Sequence, residues 1–442
     1  MKPRQSRPKL LQAMIDAFRM PDLRRRILIT FGLLVAFRFI AHIPLPGVDP
    51  VALKSLFDNN ALLGMLDMFS GGALRNFSVA AMGVYPYITS TIIIQLLQPV
   101  IPALMRLSQE GEAGRNKVNR ISHWLTIPLA ALSGYGQIIL LHNQGAIYAN
   151  TAIPVLALVA MVTSLVAGTV FLVWLGELIT EYGIGNGVSI IIFAGIVTQY
   201  PATIGNLGLS FNQNPTGVVI WGLILLASLV FIVLFTEAHR RIPVQYARTS
   251  FRGGRMYRQT GGTHIPLKVN AAGMIPLIFS MSLVLFPGMI AQYFQNPAGT
   301  NPNFWNAVYK IFSPSTSLPL GIIYWALYFL LTIVASFFYT MVIFQQQDLP
   351  GTLQRQGGFV PGIRPGKNTE SFLNNVIYRI TLAGSLFLGI VAIIPFIAQH
   401  TTNIQTVQLS STGLIIVIGV VLDTMKQMEA QLTKRRYEGF IK

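Results

Sequence analysis

The sequence predicts an all-α polytopic membrane protein, and three observations carry that prediction. Only 11% of its 442 residues are charged while 52% are hydrophobic, against about 25% charged in a soluble domain. Apolar runs recur along the chain at about 20 residues, the length with which a helix crosses a bilayer core of about 30 Å. Basic residues, the source of a net charge of +17, collect in alternate loops between those runs. An ordinary cytosolic enzyme does not carry such a composition. With no cysteine, disulfides, thiolate metal sites and cysteine nucleophiles are excluded.

Taken in order, residues 1–26 are a basic N-terminal segment. The apolar run that follows is too long, and too marked by Arg38, for a cleavable signal. Ten spans are predicted at 27–45, 77–98, 120–141, 152–175, 187–204, 217–236, 270–292, 319–344, 373–398 and 407–425. The domains follow from them: an N-terminal half over 27–204 with spans one to five, an outer loop and span six over 205–236, and a loop at 237–269. Spans seven and eight occupy 270–344, a second loop 345–372, the last two spans 373–425, and a tail 426–442. Before span two lies a shorter apolar stretch, Leu62 to Phe69, closed by Ser70-Gly71-Gly72. At roughly 12 Å as a helix it cannot span, so it is re-entrant or interfacial.

An even number of spans puts both termini on one side. If that side is the cytosol, 28 of the 32 Lys and Arg lie inside, and only Lys54, Arg75 and Lys310 lie outside. The positive-inside rule therefore sets the orientation. The outer loops 43–76 and 293–318 do not read as folded domains. The cytosolic loops do have shape. Runs Ile242 to Arg248 and Arg255 to Thr260 around Gly253-Gly254 predict a hairpin. Gly357-Gly358, Pro361-Gly362 and Pro365-Gly366 are turn chemistry that holds 345–372 in a defined form. Both are expected to project as docking structures.

Spans two and seven begin alike: Gly83 stands three residues before Pro86, and Gly273 three before Pro276. Five spans separate them, so halves of spans 1–5 and 6–10 would have opposite topology, an inverted repeat. The competing reading is that Gly and Pro are simply common in membrane helices.

The membrane interior is nearly empty of ionisable groups. Arg38, roughly 18 Å into its span, must face the bundle, the outer interface or a carboxylate. Glu177, Glu181 and Asp423 fall at span ends, and no proton relay is visible. Thr89-Ser90-Thr91 leads into Ile92-Ile93-Ile94, Ser189 into Ile190-Ile191-Ile192, and Ile415 to Ile418 follows Thr412-Gly413. A ring of such side chains would exclude water by dewetting; lipid-facing isoleucine would look the same.

Gly183 to Gly187 lacks the strand and acidic residue of a dinucleotide loop, and fits a turn between spans four and five. Pro365-Gly366-Lys367-Asn368 is not a phosphate loop. The six histidines are never paired at ligand spacing, and no catalytic constellation or cofactor motif occurs. Loop 237–269 interleaves arginines with Tyr246, Phe251 and Tyr257. That pattern suits an RNA backbone or an acidic protein face, or else topogenic charge near anionic lipid.

These residues also resemble a known family. Ile43-Pro44-Leu45-Pro46-Gly47, Met68 to Gly72, Pro86-Tyr87-Ile88, Gly176 to Phe193, Arg240-Arg241-Ile242, Asn270 to Ile278, Gly358 to Gly366 and Arg436-Tyr437-Glu438 are similar to SecY, the central subunit of the Sec protein translocase. The resemblance implies ten helices in two inverted halves around a central pore, and a passive, gated channel for signal-bearing polypeptides rather than an enzyme. It implies a pore ring at Val84, Ile88, Ile192, Ile278 and Ile416. It implies a plug over 62–76, with Leu62, Leu63, Met65, Leu66, Met68, Phe69, Ser70, Gly71 and Gly72 as its core. Spans two and three against seven and eight would form a lateral gate with Thr89 and Ser282 at polar positions. Arg240, Arg241, Arg248, Arg255 and above all Arg364 would dock the motor ATPase SecA or a translating ribosome. Gly254 stands where related loops often carry arginine. SecE, and often SecG, would accompany the chain in a bacterial plasma or thylakoid membrane, with signal peptides, nascent membrane proteins and lipid as further partners. No metal or cofactor is implied. A secondary transporter would need an intramembrane carboxylate or cation pair, which the spans lack.

Overall fold

A computed structural model of the chain describes residues 20–59, 63, 67, 70–148, 153–252, 255–273, 275–294, 303–313, 320–347, 349–364, 366–402 and 406–438. In chain order its first helices are α1 (Pro21–Ile40), α2 (Pro50–Asn59), α3 (Tyr85–Leu97), α4 (Pro102–Gln109), α5 (Glu112–Asn143), α6 (Val155–Tyr182), α7 (Gly187–Val197), α8 (Tyr200–Gln213) and α9 (Pro215–Glu237). Strands β1 (His239–Arg252) and β2 (Arg255–Lys268) follow. Then come α10 (Ile275–Phe294), α11 (Phe304–Phe312), α12 (Leu320–Gln347), α13 (Leu349–Arg355), β3 (Gly358–Phe359), α14 (Lys367–Thr402) and α15 (Thr406–Glu438).

Helices α1, α3, α5, α6, α7, α9, α10, α12, α14 and α15 occupy the ten predicted spans in order. Among the described residues, α5, α6, α9, α12 and α14 are long and apolar enough by themselves to cross a membrane. Joining α3 to α4 through their 106° bend would make a sixth. The others are shorter or carry charged ends, as α1 does with Arg24, Arg25 and Arg26.

Several boundaries differ from the hydropathy reading. Span two was expected from 77, yet 77–84 is a buried series of turns and α3 starts only at Tyr85. Hydropathy cannot tell an apolar turn from an apolar helix. Span one stops at Ile40 rather than 45, because Ile43 and Leu45 pair with the turn segment: Val79 N–H donates to Ile43 O at 3.0 Å and Leu45 N–H to Phe77 O at 3.1 Å. Span five, expected unbroken over 187–204, divides at 198–199. Pro201 lacks the N–H that a continued helix would donate one turn back, to Val197 O. The outer loops are also more ordered than expected, since they hold α2 and α11, the latter closed by an Asn303–Asn306 capping box.

The repeat signal has a backbone counterpart. Gly83 (φ +56°) and Gly273 (φ +66°) both adopt the left-handed conformation that side chains resist. Each sits two residues before its helix, and Pro86 and Pro276 are each the second helical residue. The N-terminal half packs through α3–α5, α5–α6, α6–α7 and α1–α6; the C-terminal half through α10–α12, α12–α14, α14–α15 and α9–α14. The halves meet along α7–α15, and more thinly where α10 touches α3 and α5.

The predicted hairpin forms, with β1 and β2 antiparallel from His239↔Lys268 to Arg252↔Arg255; its Gly253-Gly254 tip is outside the described residues. The two loops expected to project as docking structures share one sheet. β3, from the second loop, pairs with β1 at Gln245↔Phe359 and Tyr246↔Gly358. Alternation places Ile242 and Val244 on one face, where they join Leu267, Leu353, Val360 and Leu373 in a small core apart from the main one.

Candidate functional site

The five aliphatic residues of the predicted ring come from four helices drawn from both halves. Val84 caps the start of α3 and is fully buried, and its carbonyl accepts from Ile88 N–H one turn later at 3.1 Å. Ile192 of α7 and Ile416 of α15 are buried, while Ile88 and Ile278 of α10 are half-buried. All five belong to one apolar cluster that joins the halves. Aliphatic side chains offer no charge to bind a solute, and a ring of them would exclude water.

From segment 62–76, Leu63, Ala73 and Leu74 belong to the same apolar cluster. Of the segment's predicted core, Leu62, Met65, Leu66, Met68 and Phe69 lie outside the described residues. Leu63, Asp67 and Ser70 have helical backbone and are 4%, 3% and 2% exposed. Their i, i+4, i+7 spacing is one helix face turned inward. Asp67 is the charged member of that face. Its Oδ1 accepts from Ser70 Oγ at 3.2 Å and from Arg75 N–H at 3.0 Å, and its carbonyl from Gly72 N–H at 2.9 Å. From outside the segment, Gln199 Nε2 donates to Asp67 Oδ2 at 3.3 Å and Arg38 Nη1 to Gly71 O at 2.9 Å. The open question about Arg38 thus resolves inward: it meets a carbonyl at this segment and interacts electrostatically with Asp67.

Along the thin seam, Thr89 Oγ1 donates to Tyr85 O at 3.1 Å and Ser282 Oγ to Ile278 O at 2.8 Å, each within its own helix. The Tyr85 hydroxyl hydrogen-bonds with the side chains of both. Gln95 of α3 and Tyr339 of α12 line one small pocket along the same seam. Neither Tyr85, Gln199 nor Asp67 stands out in the sequence. Asp67 could have been found as the one carboxylate inside an apolar stretch, and Gln199 as the polar residue at the Tyr200-Pro201 break.

On the sheet, Arg240 and Arg241 are exposed, and Arg241 Nε reaches His239 Nε2 at 3.2 Å. Arg248 and Arg255 lie on the strands, with side chains outside the described residues. Arg364 is exposed, and its carbonyl accepts from Thr369 Oγ1 at 3.0 Å, which ties that corner to the start of α14. Beneath the sheet a cavity of about 230 Å³ is lined by Lys268, Asn270, Asp423 and Lys426, and Lys426 pairs with Glu237 at 2.8 Å.

A model of the SecY family matches residues 78–425. The chain is 40% identical over 451 residues to protein translocase subunit SecY of Streptomyces scabiei, with 98% of this chain and 100% of that one covered. Its fold is similar to a solved structure described as the SecY plug domain that stabilises the closed state of the translocation channel, with a TM-score of 0.65, 16% identity and 97% of each chain covered. It is similar also to Sec61 in the canine ribosome-channel complex, with a TM-score of 0.64, 16% identity and 97% of each covered. At those identities the two structures speak for the shared fold alone.

Proposed function

The chain belongs to the SecY family of protein translocase subunits, and from that membership we propose how it is sealed, opened and driven. As a family member it is a protein-conducting membrane channel, with a transport role rather than a catalytic one. Val84, Ile88, Ile192, Ile278 and Ile416 form its pore ring. The observation that supports this is that all five, from both halves, are buried or half-buried in one apolar cluster. Such a ring suits a channel whose substrates are chemically diverse, because it deforms around any chain without recognising one. Segment 62–76 is the plug above it.

Signal-sequence binding parts the seam between α3 and α10, the plug moves, and the ring closes around the moving polypeptide. Hydrophobic helices leave sideways into lipid through the same seam. No ATPase motif is present, so the drive is external: SecA, or a translating ribosome, docked on Arg240, Arg241, Arg248, Arg255 and Arg364. A SecE helix clamps the outside. An apolar groove of about 300 Å³ between α1, α7 and α15, lined by Phe31, Leu34, Phe193 and Met425, supports an apolar helical neighbour. SecG is a further companion. The basic loops put both termini in the cytosol, and the bacterial relatives support a bacterial plasma membrane, with a thylakoid membrane as the alternative.

Reconstitution with SecE and SecA tests this reading. ATP-dependent, protease-protected uptake of a signal-bearing precursor into vesicles is the expected result. A properly assembled complex that imports nothing would overturn it.

A further inference from the structure

We propose that Asp67, Gln199 and Arg38 form a polar latch that sets the resting position of the plug, acting as positioning residues for channel closure. The proposal rests on reading 62–76 as the plug. Two donors converge on one corner of that segment. A Cβ built on Gly72 would lie 3.9 Å from both Arg38 Nη1 and Gln199 Nε2. One donor comes from α1 and the other from the break between α7 and α8, so the corner is held from two sides. Around it the packing is apolar, with Phe37, Leu74 and Phe77 buried. A carboxylate there is tolerated only if hydrogen-bonded, and a donor left without its acceptor is costly.

The bonds fall into two groups with different fates. Those from Ser70, Gly72 and Arg75 are internal to the segment and travel with Asp67 when the plug moves. Those from Gln199 and Arg38 cross to the channel wall and must break. Asp67 therefore stays satisfied in transit while the wall loses its acceptors, and the cost of leaving sits in two identifiable contacts. Sequence separations of 132 and 33 residues make both contacts properties of the assembled fold.

The test uses the reconstituted complex and reads resting ion conductance. It also reads labelling of a thiol at Ala73→Cys, a buried position in a chain with no other cysteine. Gln199→Glu, isosteric but facing Asp67 with like charge, should raise both conductance and labelling about tenfold or more. Adding Asp67→Asn should reverse the rise, because the exchanged amide donates to the exchanged carboxylate. Unchanged conductance and labelling in Gln199→Glu would overturn the latch. A rise that Asp67→Asn leaves in place would also overturn it, since the effect would not run through that pair. Deletion of 62–69 separates the two levels: a leaky deletion beside a tight Gln199→Glu refutes the latch alone, whereas a tight deletion refutes the plug itself.

Discussion

Gly71 and Gly195 meet backbone to backbone, with no side chain between them. A methyl built on Gly195 would overlap Gly71 Cα, and one built on Gly71 would lie 2.7 Å from the Phe37 ring. The proposed plug thus seats on α7 at a point with no spare volume, directly beside the Asp67–Gln199 bond.

Gly195→Val should therefore unseat the plug. Overpacking costs about 1–3 kcal/mol, charged against the closed state more than the fold. Resting conductance is expected to rise while the purified complex keeps its elution volume and Tm; a tight channel would show that the plug seats elsewhere.

Ile88→Asn combined with Ile192→Asn should let water and ions through the resting ring, because an amide removes the dewetting that seals it. Planar-bilayer recording is expected to show roughly tenfold more resting current, the equivalent of about 1.4 kcal/mol. Parent-level current in the double variant would count against these residues as the seal.

Tyr85→Phe deletes the hydroxyl that links α3 to Ser282 on α10. One such bond is worth about 1 kcal/mol, so the seam should part about fivefold more readily. A precursor with a weakened signal sequence is the sensitive substrate, and its uptake should increase. Uptake equal to the parent would assign the seam's closure to packing alone.

Arg364→Glu should abolish SecA-driven uptake and leave the fold intact, since the side chain is exposed and the corner is held by the Thr369 hydroxyl, which donates to the Arg364 carbonyl. Thr369→Ala, which loosens the corner without changing charge, should cause a smaller loss. Titration of SecA onto vesicles checks both, and undiminished binding by Arg364→Glu would move the docking site off this loop.

The parts legible in the sequence are those written in local periodicity. Apolar run length located ten helices, and the strand-like runs on either side of Gly253-Gly254 located the hairpin. The Gly83/Pro86 and Gly273/Pro276 matches located the repeat. What stayed hidden depends on contact between distant segments. β3 is two residues long and has no pattern of its own beyond Gly358-Phe359. Segment 77–84 is apolar because it is buried in protein, which hydropathy does not separate from burial in lipid. The Asp67–Gln199 bond hides for another reason: a single amide at a helix break leaves no trace in composition, and its partner sits 132 residues away.

The pairing of Tyr246 with Gly358 has a mechanical side. β1 and β2 connect α9 to α10, and β3 lies between α12 and α14, so a load on either loop is shared by four helices at once. Torque applied at the Arg364 corner would swing that whole side as a door turns by its handle, with α3 and α5 left behind as the jamb.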